Sequence, residues 1–245
     1  MQEQPGPQSA NHILASLPPE DYRRLAPHLE TLETTRGEVL YQPEQRIDYG
    51  YFPLNSMVSL ISRTADGESV EVGIVGYEGF AGVSLLLGVD ESPFEQMVQI
   101  PDGAVRVRAE VLREEFGRGG AFQALALRYA HSLLLQTSQV AACNRLHTLS
   151  ERLARWLLMS EDRARRPELP LTQEFLSLML GVRRPGVTEA AIVLQAQGLI
   201  DYMRGRVNIR DRAGLEESAC DCYRIVKEEF DRVTAAASDA RGSTP

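Results

Sequence analysis

Lysine is all but missing from this chain: of its 26 basic residues only Lys227 is a lysine, a bias that carries no functional message of its own. Cysteine is scarce as well. Cys143, Cys220 and Cys222 are too few and too far along the chain to build a disulfide framework or a four-cysteine metal site. Cys220 and Cys222 are one residue apart inside an expected helix, which points them in different directions, so they read as structural rather than redox residues. No run of about 18 apolar residues is present, which excludes a membrane-spanning helix. The start, MQEQPGPQSANH, has neither the basic opening nor the apolar core of a signal peptide. A soluble cytoplasmic protein is expected, with no membrane partner.

Histidine is limited to His12, His28, His131 and His147, none of them in the strand-rich stretch 32–108, which also lacks cysteine. That stretch therefore offers no ligands for an iron–sulfur cluster, no imidazole for haem, and not the several histidines with which cupin-type enzymes hold a metal. A nucleophile elbow, a phosphate-cradling P-loop and an HExxH motif are absent too. The expectation is no enzyme, no cofactor and no metal.

The net charge of −8 is unevenly distributed along the chain. Residues 1–120 carry 9 basic and 19 acidic side chains, whereas residues 121–212 carry 13 basic and 8 acidic. Positive charge is concentrated in the second part, and phosphate responds to the local field.

That basic part contains the most informative stretch, LTQEFLSLMLGVRRPGVTEAAIVLQAQGLI followed by DYMRGRVNIR. Thr172 can cap a first helix and Glu174 suits its positive end. Phe175, Leu176, Met179 and Leu180 recur at helical spacing, and Gly181 supplies a left-handed turn. A second helix begins near Arg184 or Pro185, since proline is tolerated in a first turn. Val187, Ala191 and Leu194 face inward, leaving Arg184, Thr188 and Gln195 outward with Arg183 at the entrance. Gly198 ends this helix, and Ile200, Tyr202, Val207 and Ile209 alternate around Arg204-Gly205 as in a β-hairpin. A helix-turn-helix with a wing presents its second helix to the major groove. Arginine matches the paired acceptors of guanine, so Arg183 and Arg184 are the candidate base readers, with Thr188 second. Thr172, Gln173, Arg204, Arg206, Asn208 and Arg210 are candidates for the phosphate backbone.

The 245 residues suffice for two domains, and the fold class expected is α+β. Residues 1–11 read as a flexible leader, with Pro5, Gly6 and Pro7 opposing regular structure. Residues 12–120 begin with short helices broken at Pro18-Pro19 and near Pro27, then turn to short strands. Asp66-Gly67 is the strongest hairpin signal, and turns at 76–79 and 101–103 bracket further strands of an antiparallel roll. The segment AEVLREEF is helical. A long helical run from Ala121 to about Arg165, breaking between Asn144 and Thr148, gives a dimerisation helix at 121–147 and a winged helix-turn-helix domain at 148–212. Phe122, Leu125, Tyr129, Leu133, Leu134, Val140 and Leu146 form an apolar stripe, part of which is expected to meet a second copy. Within 213–245, one amphipathic helix is expected over 214–233 and disorder beyond it.

In this order of elements the chain resembles the bacterial transcription regulators related to the catabolite activator protein and the fumarate–nitrate regulator, the Crp/Fnr family. The resemblance covers residues 12–212 and is most specific in TQEFLSLMLGVRRPGVTEAAIVLQAQGLI, where Arg184 falls at a position at which members commonly place an arginine on guanine. Pro185 and Gly186 stand where the catabolite activator has glutamate and threonine, so its operator does not carry over. The resemblance implies a homodimer on a near-palindromic site, with double-stranded DNA as partner and RNA polymerase as a candidate partner. In the sensory half, FAGVSLLLGVDESPFEQMVQI departs from the family: Val83 follows Gly82 where a glutamate holds the cyclic nucleotide, and Phe94-Glu95 replaces the arginine pair that holds its phosphate. A buried phosphate without a cation is costly, so the effector is unknown. The alternative reading is a cyclic-nucleotide or cyclic-dinucleotide receptor using other contacts, for which Tyr77, Glu78 and Gly79 are the candidates.

Overall fold

The computed structural model describes residues 10–242, with side chains through residue 234; the expected leader, apart from residues 10 and 11, lies outside the described residues. Asn11 is no part of a loose leader, because it is fully buried. Its side chain caps α1 (His12–Ala15) by accepting the Ile13 and Leu14 amides, and it donates to the carbonyls of Pro53 and Gly79. Prolines then punctuate the chain as expected: α2 (Pro19–Leu25) starts on one, and a 3₁₀ turn (Ala26–His28) contains another.

Seven antiparallel strands follow, β1 (Glu30–Glu33), β2 (Val39–Tyr41), β3 (Tyr49–Pro53), β4 (Met57–Arg63), β5 (Ser69–Val75), β6 (Glu95–Ile100) and β7 (Gly103–Arg108). They form two sheets in the orders β1-β7-β3 and β2-β6-β4-β5, which is the expected roll. Gly67 sits at φ +85 in the β4–β5 hairpin, the conformation for which Asp-Gly was read as a turn signal. Strand β4 is buried on both faces over Met57–Ile61, which is why its sequence shows no clean alternation. A 3₁₀ turn at Val83–Leu87, unforeseen from the sequence, packs under helix α3 (Ala109–Gly117).

The long helical run breaks within the expected window. Helix α4 (Gly120–Leu146) stops at His147, and α5 (Leu149–Ala164) starts from a reciprocal cap in which Thr148 Oγ1 accepts the Glu151 amide while the Glu151 carboxylate accepts from Thr148. Of the apolar stripe on α4, Phe122, Leu125, Tyr129 and Val140 are buried within the chain itself. Those positions cover the roll and the C-terminal helix rather than a second copy. Leu127, Leu134 and Leu146 remain 47%, 65% and 72% exposed.

The tail also departs from expectation. Instead of one helix over 214–233, the chain forms α8 (Arg212–Ser218), turns at 219–221, and forms α9 (Cys222–Gly242), which continues past the point where disorder is expected. The turn has a large effect on the cysteines. Cys143, Cys220 and Cys222 are all buried and form a cluster of their own, so Cys220 and Cys222 converge rather than point apart.

The C-terminal head packs on the roll through two buried polar links. Trp156 of α5 donates its indole N–H to Glu71 of β5 at 2.7 Å, and Arg163 of α5 donates to Glu78 at 2.8 Å with both side chains about 6% exposed. Burial pushes the Glu71 carboxyl up to about 7, against the hydrogen bonds from Ser59 and Trp156 that favour its ionised form. The folded protein thus holds this proton more tightly than an unfolded chain, whose glutamates titrate near 4.3. The stability so gained is complete below about pH 4 and is lost as pH rises through 7, an effect on the order of 3–4 kcal/mol. Trp156 is the only tryptophan. Its fluorescence should titrate with a midpoint near pH 7 and cease to do so in Glu71→Gln; a flat wild-type titration would contradict the assignment.

Candidate nucleic-acid interface

Helix α6 (Gln173–Leu180) is capped by Thr172, whose Oγ1 accepts the Phe175 amide at 3.2 Å, a cap contributing about 1 kcal/mol. Gly181 ends it at φ +61, where a β-carbon would meet Val70 of the roll at 3.1 Å. Helix α7 (Arg184–Ala196) follows with Arg183 at its N-cap and Pro185 in the first turn. Val187, Ala190, Ala191 and Leu194 are buried against the head, which leaves Arg184, Ile192 and Gln195 exposed and Thr188 half-buried on the opposite side.

The wing has three strands rather than two. Strands β9 (Ile200–Met203) and β10 (Arg206–Ile209) form the expected hairpin, and β8 (Glu168–Leu169) adds to the other edge of β10. A two-residue strand has no periodicity to read, so β8 left no trace in the sequence. Arg204 and Gly205 both have positive φ, as a tight hairpin turn requires.

These elements bring Thr172, Gln173, Arg184, Thr188 and Arg204 onto one open groove of about 480 Å³, together with Gln195, Ile192, Tyr202 and Gly205. Arg183, Arg206 and Asn208 are not on it. Arg183 lines a neighbouring cleft that it shares with Asp66 and Glu68 of the β4–β5 hairpin, while Arg206 and Asn208 lie along β10. Two groove residues went unnoticed in the sequence. Ile192 is an exposed isoleucine on a helix face that is otherwise polar, the chemistry that recognises a thymine methyl. The Tyr202 hydroxyl has no hydrogen-bond partner among the described residues, and burial raises it to about 12, so it stays a proton donor.

The guanidinium groups are held by acids on adjacent elements. Arg184 pairs with Glu174 across the helix turn, Arg206 with Glu168, and Arg210 with Asp201 at 3.1 Å. All six side chains are more than half exposed. Pairs of that kind contribute at most about 1 kcal/mol, so exchange of the carboxylate for a phosphate or a base edge costs little. Thr188 Oγ1 donates to the Arg184 carbonyl at 3.1 Å, a local bond that orients it without removing its acceptor capacity.

In the roll, a cavity of about 430 Å³ is lined by Val83, Phe80, Phe94, Leu133 and other apolar side chains, with Ser84, Gln96 and Thr137 as its polar members and no charged residue. Glu95 does not line it, being turned to Arg63 at 2.8 Å. Tyr77, Glu78 and Gly79 are elsewhere. Glu78 is bound to Arg163, Tyr77 lies under the Arg165 guanidinium, and a β-carbon on Gly79 would stand 1.9 Å from the Tyr129 ring. Tyr77 and Glu78 border a crevice of about 150 Å³, well below the roughly 300–1,000 Å³ of ordinary ligand pockets.

Two helices joined by a tight turn, with a stranded wing, joined by a long helix to a β-roll, give the architecture of a winged helix-turn-helix protein with a second, strand-built domain. Residues 151–218 match the family described as the Crp-like helix-turn-helix domain, so the head is a Crp-like DNA-binding domain on a chain with the Crp/Fnr regulator fold. Among solved structures, FixK2 from Bradyrhizobium japonicum is similar at 15% identity and a TM-score of 0.63, covering 78% of this chain and 98% of that one. A transcriptional regulator of the CRP family from Thermus thermophilus is similar at 18% identity and 0.63, covering 77% and 96%. The c-di-GMP responsive global regulator CLP from Xanthomonas campestris is similar at 18% and 0.58, covering 78% and 98%. Comparison with curated proteins gives no match. No helix among the described residues is long and apolar enough to cross a membrane.

Proposed function

We propose that the protein acts as a homodimer in the bacterial cytoplasm and regulates transcription from a near-palindromic operator, with RNA polymerase as a further partner. The observation that carries this reading is the groove on which the recognition-helix face, the cap of α6 and the wing converge. Arg184 and Thr188 read base edges there, Ile192 meets a thymine methyl, and Thr172, Gln173 and Arg204 fix the backbone. Arg183, Arg206 and Asn208 flank the groove as additional contacts.

Dimerisation is supported by the outward face of α4. Ala124, Leu127, His131, Leu134, Ser138, Ala141 and Arg145 alternate at steps of three and four residues, and all seven are exposed. That is the spacing of a coiled-coil seam, on which a second α4 fits with its own copy of the same residues. Two recognition helices set about one DNA turn apart, roughly 34 Å, require inverted half-sites at that spacing.

The alternative, a receptor for a cyclic nucleotide or dinucleotide, finds less support. The roll cavity offers no cation for a phosphate, and Glu78 is already committed to Arg163.

Selection of bound sequences from random duplexes tests the proposal, with enrichment of an inverted repeat expected and no enrichment contradicting it. Arg184→Ala should relax base preference at one position per half-site, at about 1–3 kcal/mol. Arg206→Ala should instead weaken binding to every sequence and lower the salt slope by about one. If both variants changed base preference alike, the division between reading and positioning would fail.

A further inference from the structure

Three helix ends meet where the head joins α4. Cys143 lies one turn before the end of α4, His147 is the residue at which α4 stops, Cys220 is in the turn after α8, and Cys222 is the first residue of α9. Three thiol sulfurs and one imidazole nitrogen converge there, all within 4.8 Å of one another. Cys143 Sγ is 3.4 Å from Cys220 Sγ, and Cys222 Sγ is 3.6 Å from His147 Nδ1. A tetrahedral zinc centre of three sulfurs and one nitrogen, with Zn–S near 2.3 Å and Zn–N near 2.0 Å, has donor-to-donor edges of about 3.5–3.8 Å. The two pairs Cys143–Cys220 and Cys222–His147 already stand at nearly those separations, and the whole set lies within 4.8 Å.

We propose that Cys143, His147, Cys220 and Cys222 bind one zinc ion in a closed, structural site of three thiolates and one imidazole. Soft thiolate with imidazole is the donor set that selects zinc among the common divalent ions. An iron–sulfur cluster distributes its ligands over several irons and holds them farther apart, whereas these four converge on a single point. A Cys143–Cys220 disulfide would leave the approach of Cys222 and His147 unexplained.

Two features around the donors fit a bound cation rather than a chance meeting of thiols. His147 Nδ1 faces Cys222 while Nε2 lies 3.7 Å from the Asp221 carboxylate, the arrangement in which an outer carboxylate orients a metal-bound imidazole. Three thiolates and one zinc leave a net charge of −1, and the group beside them is Arg155. That guanidinium is 4% exposed, forms no ion pair among the described residues, has no hydrogen-bond partner for its Nε, and interacts with Cys143. It supplies the countercharge such a site requires. Zinc so placed ties the start of α9 to the end of α4 and fixes the joint from which α5 and the head depart.

The test is metal uptake by the full chain, purified reduced and without chelator, and it does not depend on DNA binding. One zinc per chain is expected. After the zinc is stripped and replaced by Co²⁺, the visible absorption of a tetrahedral centre and a thiolate-to-cobalt band in the near ultraviolet are expected. Cys222→Ser and His147→Asn, at the edge of the cluster, should lose both signals while circular dichroism shows the fold retained, and Asp221→Asn should weaken zinc binding about 10–100-fold. A reduced wild-type chain that takes up neither ion would overturn the proposal. So would cobalt spectra unchanged in Cys222→Ser and His147→Asn, which would place the metal elsewhere.

Discussion

Leu134→Glu is expected to turn the proposed dimer into monomers and to lower its operator affinity by about 10²–10⁴-fold, the gain that joining two binding modules normally brings. Leu134 is 65% exposed on α4 and belongs to the seam that runs from Ala124 to Arg145. In the single chain its replacement removes little packing, so stability of the monomeric unit should hardly change. In a dimer, two copies would bring like charges together across the seam. Sedimentation at increasing concentration and titration of a half-site against a full site read the two effects separately. A variant that remains dimeric, or a wild-type chain that binds both sites with equal affinity, would refute the dimer reading.

Arg163→Met is expected to destabilise the protein by about 3–5 kcal/mol, because it leaves Glu78 buried without its partner. Arg163 also donates to the Met159 carbonyl and stacks over Phe230 of α9, so the change acts where roll, head and C-terminal helix meet. A buried ion pair contributes little relative to a well-packed apolar pair, whereas half of one is costly. The double variant Arg163→Met, Glu78→Gln should therefore recover most of the loss in chemical denaturation. If the single variant costs under about 1 kcal/mol, the pair is not the buried link described.

The DNA-reading unit was legible in the sequence because its signals are local: a capping threonine, a glycine in a left-handed turn, a proline in a first turn, and alternation around Arg204-Gly205. The α+β roll was legible from turn spacing. What escaped depends on residues far apart in the chain. Glu71 and Trp156 are 85 positions apart, as are Glu78 and Arg163, and Cys143 is 77 from Cys220. Neither composition nor periodicity states that such residues touch. The apolar stripe of α4 was legible only as a stripe. Periodicity shows that Phe122, Leu125 and Tyr129 want cover, but not which surface supplies it; the roll does. Leu134 was in the expected stripe, but the rest of the outward face was not, because Ala124, His131, Ser138 and Arg145 interrupt its leucines. The tail was read as one helix because its apolar spacing continues through 219–221, where the backbone turns.

Helices α4 and α5 are joined by only two residues, His147 and Thr148. So short a joint admits almost no sliding and leaves only a pivot, which the two buried links to the roll oppose. Helix α5 has 16 residues, a lever of about 24 Å, so a pivot of about 10° carries its far end about 4 Å. The base-pair step is about 3.4 Å. A swing of even one such step would part Arg163, at the far end of α5, from Glu78 of the roll, so the buried pair sets the angle at which the head is presented.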